Sequence, residues 1–294
     1  MNPIVERLEG GLIPAVPVPF HGSRLAEDAQ QAYARWMVGQ DVAGVAVWAH
    51  TGRGPHLDPK VRKAVLAEWR GVLADRVIIA GANSVEMAQA ARSRGADALL
   101  AFPPLRVDPV QYHAELGDIL PVIAFYLYEA AGGVAYDNRT LHAILELDTV
   151  IGIKVATLDS IVTFQRIADL MRGHPDKILI TGEDRFLGYS ITLGARAALV
   201  GMGAALTDLQ STLMRAFRIG DLARFVRLSG TLDRFAAATF VTPLEGYIRR
   251  MLWALAAEGI IPEDACDDPW GPPLDSAERD VVRQAVRDAR AALG

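Results

Sequence analysis

The stretch TVIGIKVAT, residues 149–157, is a run of β-formers interrupted by one lysine. Val150, Ile151, Ile153 and Val155 surround Lys154, and unbroken apolar character of this kind marks a strand covered on both faces. An ammonium group placed there is costly unless it is paired, neutralised or used. The chain has four lysines, Lys60, Lys63, Lys154 and Lys177, and the other three stand in charged, loop-like or helix-surface settings. What Lys154 is for depends on where its strand lies.

Seven further runs of similar character accompany it. They are LIPAVPVPF (12–20), VAGVAVWAH (42–50), VIIAG (77–81), ALLAFP (98–103), VIAFYLY (122–128), ILITG (178–182) and AALVG (197–201), with VIGIKV (150–155) sixth in order. Between them lie segments such as DPKVRKAVLAEWRGVL and SVEMAQAARSRG, whose apolar residues recur every three or four positions, as in an amphipathic helix. Asp58 before Pro59, and Ser84 two residues before Glu86, read as helix starts. Gly95 reads as a helix stop. Eight strand–helix units predict a (β/α)8 TIM barrel. A doubly wound open sheet is the runner-up, without a GxGxxG after an early strand to support it. Residues 1–206 carry the barrel strands and helices. Residues 207–294 read as the last barrel helix and a C-terminal helical extension of the same domain, ending in DSAERDVVRQAVRDARAAL (275–293).

Composition narrows the function. A net charge of −5 and the absence of any basic run exclude a nucleic-acid surface. The single cysteine, Cys266, rules out a disulfide framework and reads as an inert thiol in a C-terminal loop. No apolar stretch approaches the roughly 20 residues that span a bilayer. The opening MNPIVERLEGG lacks the apolar core of a secretory leader, so the cytoplasm is the expected compartment. The six histidines show no HxH or HExxH spacing, so neither a metal nor another cofactor is expected. His21, His56, His113, His142 and His174 are expected on the surface.

In such barrels, reactive groups gather at the C-terminal ends of the strands. Three of those ends carry suitable side chains. The second run closes on His50, Thr51 and Gly52, the fifth on Tyr126, Tyr128 and Glu129, and the sixth holds Lys154. A lysine in an apolar barrel has a depressed pKa and can attack a carbonyl as a neutral amine. A tyrosine one strand away can shuttle a proton, and a Thr–Gly turn offers a hydroxyl and backbone N–H groups to a carboxylate. Each signal alone has an ordinary structural reading. Together they describe a Schiff-base site for a 2-oxo acid.

These residues resemble the dihydrodipicolinate synthase/N-acetylneuraminate lyase family of class I aldolases. GLIPAVPVPF matches the family's opening strand, and Gly152-Ile153-Lys154 matches its GIK strand. The GTTGE loop falls on Ala49-His50-Thr51-Gly52-Arg53, the YNxP segment on Tyr128-Glu129-Ala130-Ala131, and the end of the seventh strand resembles Gly182-Glu183-Asp184. The resemblance implies Lys154 as the Schiff-base lysine, Tyr128 as general acid/base, Thr51 as carboxylate holder, and Leu199, Val200 and Gly201 as pocket backbone. It also implies a homo-oligomer, most often a tetramer.

The departures are informative. His50 stands in place of a relay threonine, where its imidazole can still pass a proton, which makes it a third candidate catalytic residue beside Lys154 and Tyr128. Arg53 stands in place of the loop glutamate. Gly133 takes the place of the arginine with which the synthase branch holds a second carboxylate, and Leu105 falls near the tyrosine lent to a neighbouring subunit. The expectation is a lysine-imine lyase or aldolase acting on pyruvate or a related 2-oxo acid, and not a true dihydrodipicolinate synthase. His50, Arg53 and Glu129 are candidates for substrate selection. A dehydratase of a deoxy-keto sugar acid using the same imine is the alternative, and a non-catalytic oxo-acid-binding homologue is a third reading.

Overall fold

The structure, a computed structural model, describes residues 2–292. The readings that touch Met1, Leu293 and Gly294 therefore lie outside the described residues. Eight parallel strands, β1 (Leu12–Pro14), β2 (Gly44–Val47), β3 (Val77–Ala82), β4 (Ala98–Ala101), β5 (Val122–Leu127), β6 (Val150–Ala156), β7 (Ile178–Thr181) and β8 (Ala197–Val200), pair in sequence order. β8 returns to β1 through Leu12–Ala198 and Ile13–Leu199, and the parallel bridge Ala15–Ala46 joins β1 to β2. The ring is the (β/α)8 barrel that the eight apolar runs predict.

The first run is strand only as far as Pro14. Pro14, Pro17 and Pro19 have no N–H to give a ladder. Phe20–His21 instead pairs with Arg24–Leu25 in a small antiparallel hairpin. Helices start where their caps predict. Asp58 accepts from the Lys60 N–H with Pro59 in the first turn, Ser84 accepts from the Met87 N–H, and Gly95 ends its helix at φ +84°. Thr207–Arg218, Leu222–Thr239, Tyr247–Ala257 and Ala277–Ala291 form the helical C-terminal part. Among the described residues, no helix is long and apolar enough to cross a membrane.

Alternation along the strands sorts the core into two clusters. Ile153 and Val155 belong to the cluster between barrel and helices, whereas Ala156, Phe125, Ile180 and Leu199 fill the barrel interior. Lys154 shares the period-two face of Ala156 and therefore points inward. Two surface expectations need correction. His113 is fully buried, its Nδ1 2.6 Å from the Pro109 carbonyl, and His174 is buried with its Nε2 2.9 Å from His142 Nδ1. Amphipathic spacing places an imidazole on a face but does not show that a neighbouring element covers it.

Candidate active site

Lys154 lies in register with Phe125 on β5 and Ile180 on β7, so ladder hydrogen bonds on both sides fix its backbone. Its side chain runs up the interior, with Nζ 4.2 Å from the centre of the Phe125 ring. Among the described residues it forms no hydrogen bond or ion pair. Burial pulls its pKa down to about 8, against the opposing charges of Asp184 and Glu183. Near neutral pH a useful fraction of this amine is therefore unprotonated and nucleophilic.

The loop after β7 supplies the two carboxyls. Asp184 accepts the Met202 N–H at 2.6 Å and so ties this loop to the one after β8, while burial raises its pKa. Glu183 is not part of the lining of the lysine pocket. It accepts from the Thr157 N–H at 2.6 Å, the Thr157 hydroxyl at 2.9 Å and the Leu158 N–H at 2.9 Å. Those bonds hold the turn after β6, where Leu158 takes a left-handed φ of +66°.

A polar network closes the mouth. Tyr128, just beyond β5, donates its hydroxyl to Glu245 Oε1 at 3.1 Å. The other oxygen, Glu245 Oε2, lies 3.2 Å from His50 Nε2 and accepts from Arg53 Nη1 at 2.9 Å. His50 Nδ1 is 3.2 Å from the Tyr247 hydroxyl, which is itself 2.9 Å from Thr51 Oγ1. Burial alone would raise the Glu245 carboxyl, but the hydrogen bond and charge of His50, with Arg53, hold it at about 2. The Tyr128 and Tyr247 phenols are pushed up, chiefly by burial and then by neighbouring acidic groups. Both stay protonated at neutral pH.

The pocket occupies about 340 Å³, including its open mouth. Lys154, Tyr128, His50, Thr51 and Gly201 all line it, so the structure brings five of the expected residues together. Four others stand elsewhere. Gly52 lies behind the wall, where a Cβ would meet the Val16 carbonyl oxygen at 2.9 Å. Glu129 is exposed, because the chain leaves β5 through a short 3-10 turn that carries it to the surface. Leu199 belongs to the interior packing and Val200 to the helix-facing side. Arg53 does not face the pocket freely. Its guanidinium spans Asp268, with Nη2–Oδ2 at 2.8 Å and Nε–Oδ1 at 3.2 Å, as well as Glu245.

The residues missing from the sequence reading are Glu245, Tyr247, Phe240 and Asp268. All come from the C-terminal part, where TPLEGYIRR (242–250) reads as an ordinary helix start. The remaining lining is Phe125, Leu127, Ala156, Leu158 and Phe240, which are apolar, with Gly182 and the buried carboxyl of Asp184. No cluster of three His, Cys, Asp or Glu suited to a metal ion occurs among the described residues.

A nucleophilic lysine inside a (β/α)8 barrel, under a tyrosine at the mouth, defines a lyase of the class I aldolase type. Residues 8–289 match the model of the dihydrodipicolinate synthetase family, and the chain belongs to that family. It is 28% identical over 251 residues to 4-hydroxy-tetrahydrodipicolinate synthase of Nitrobacter hamburgensis, covering 79% of this chain and 82% of that protein. It is 24% identical over 278 residues to N-acetylneuraminate lyase of Salmonella paratyphi A, covering 89% and 91%. Its fold matches that of YagE, a prophage protein of E. coli K12 from the dihydrodipicolinic acid synthase family solved with pyruvate. That match has a TM-score of 0.85 at 21% identity, over 95% of this chain and 98% of the other.

Proposed function

We propose that Lys154 condenses with pyruvate or a closely related 2-oxo acid, and that the resulting imine makes or breaks a carbon–carbon bond to an uncharged partner. The observation that carries this is the buried Lys154 amine aimed into a pocket shared with Tyr128 and Thr51. The neutral amine attacks the C2 carbonyl, and Tyr128 gives a proton to the oxygen that leaves as water. The Thr51 hydroxyl serves the carboxylate. A pyruvate complex of a family neighbour and the lyase activity named for a relative support the same substrate class.

The character of the partner follows from what the pocket lacks. Lys154 is the only lysine or arginine among the lining residues. Arg53 is committed to Asp268 and Glu245, and Gly133 offers no side chain where the synthase branch has its arginine. A second carboxylate would meet the apolar surfaces of Leu127, Leu158 and Phe240 and the acid Asp184, with no guanidinium in the lining to pair it. Dihydrodipicolinate synthesis is therefore not the reaction we assign. The test is aldol formation from pyruvate with three aldehydes: an aryl or alkyl aldehyde, a polyhydroxy aldehyde and one bearing a carboxylate. An uncharged aldehyde should exceed the carboxylate-bearing one in kcat/KM by about tenfold or more. Preference for the carboxylate-bearing aldehyde would overturn the assignment.

A further inference from the structure

We infer that Tyr247, His50 and Glu245 form a proton-transfer triad, in which Tyr247 exchanges protons with the bound oxo acid and Glu245 holds His50 in the accepting tautomer. The inference rests on the imine reading above and adds the group that moves protons once the imine exists.

The geometry assigns the roles in order. Glu245 and Tyr247 stand two residues apart where the short 3-10 turn Leu244–Gly246 enters helix Tyr247–Ala257, and the imidazole of His50 sits between their side chains. The Glu245 carboxylate can only accept, and it already accepts hydrogen bonds from Tyr128 and Arg53. His50 Nε2 must therefore carry a hydrogen toward Glu245, which leaves the Nδ1 lone pair for the Tyr247 hydroxyl at 3.2 Å. The titratable groups facing His50 are Glu245, Tyr247 and Tyr128, with Arg53 and His56 beyond them. The tyrosine is held rigidly. Its ring stacks on Phe240 with centroids 4.7 Å apart and planes 19° from parallel, its edge abuts Gly201, and its oxygen is 2.9 Å from Thr51 Oγ1. Tyr247 lines the pocket that holds Lys154, whereas the Tyr128 proton is already directed at Glu245.

The step balances within one chain. A C3–H bond of the iminium breaks, its electron pair forms the C2=C3 bond, and the C2=N pair returns to the lysine nitrogen. The proton goes to the Tyr247 oxygen as the phenol's own proton passes to His50 Nδ1, giving an imidazolium beside the Glu245 carboxylate. The reverse sequence protonates C3.

The test uses pyruvate alone, so it does not depend on the identity of the second reactant. Full-length protein is assayed for loss of pyruvate methyl protons in deuterium oxide by proton NMR, and in parallel for borohydride trapping of the imine. Tyr247→Phe keeps the stacked ring. It should trap within about threefold of the parent while its exchange falls by about a hundredfold or more. Glu245→Gln can offer an amide N–H to Nε2, favour the wrong tautomer and lower exchange by about tenfold or more. Tyr128→Phe should instead lower trapping. Exchange in Tyr247→Phe within threefold of the parent overturns the triad, and so does a parallel fall in trapping and exchange, which marks a purely structural role. A parent protein that neither traps nor exchanges overturns the imine reading, and the triad with it.

Discussion

A Cβ built on Gly182 would stand 2.5 Å from Cε of Lys154, so the bare backbone at the end of β7 is what gives the lysine its channel. The same carbon would lie 2.9 Å from Cβ of Ala156, the next inward residue of β6, so the strand cannot easily yield instead. Gly182→Ala should displace the amine from its aligned position and slow imine trapping by about a hundredfold. A trapping rate equal to the parent's would show that the lysine has another route into the pocket.

The rate of imine formation should follow the unprotonated amine. Burial holds the Lys154 pKa at about 8, so the rate with pyruvate should rise with pH and level off above that value, well short of ordinary lysine behaviour near 10.4. The Asp184 charge opposes the depression. Asp184→Asn removes that charge, and its side-chain carbonyl can still accept the Met202 N–H. The midpoint should therefore move to lower pH. Movement to higher pH in stopped-flow trapping would contradict the assigned coupling.

Arg53 is a structural cation on which two acids depend. Asp268 is 2% exposed at its side chain and carries two hydrogen bonds from the guanidinium. Arg53→Ala strands a buried carboxylate and should cost about 3–5 kcal/mol in urea unfolding. The double variant Arg53→Ala/Asp268→Ala should lose less than the sum of the two singles. A single-variant loss below about 1 kcal/mol would mean that water replaces the guanidinium.

Most of the fold was legible because a strand covered on both faces writes an unbroken apolar run, as Val122–Leu127 and Ala98–Ala101 do. The inward aim of Lys154 follows from period two once the barrel is recognised, and Tyr128 follows from its place one residue past β5. Glu129 shows where adjacency misleads. It neighbours Tyr128 in sequence, yet the backbone turns it outward at the strand's end. Glu245 and Tyr247 were out of reach for a different reason. They approach His50 and Thr51 at sequence separations of 195 and 196, and nothing local distinguishes an acid poised over a pocket from an acid in the first turn of a helix. Arg53 belongs to both cases, being visible as a departure while its partner Asp268 was hidden in the loop DDPWGPPL (267–274).

The most direct test of the central claim is reductive trapping of the intact protein with pyruvate and borohydride, followed by peptide mass spectrometry. A single added group on the peptide containing Lys154, absent in Lys154→Ala, is the predicted result. No added mass, or mass only on Lys60, Lys63 or Lys177, would contradict it.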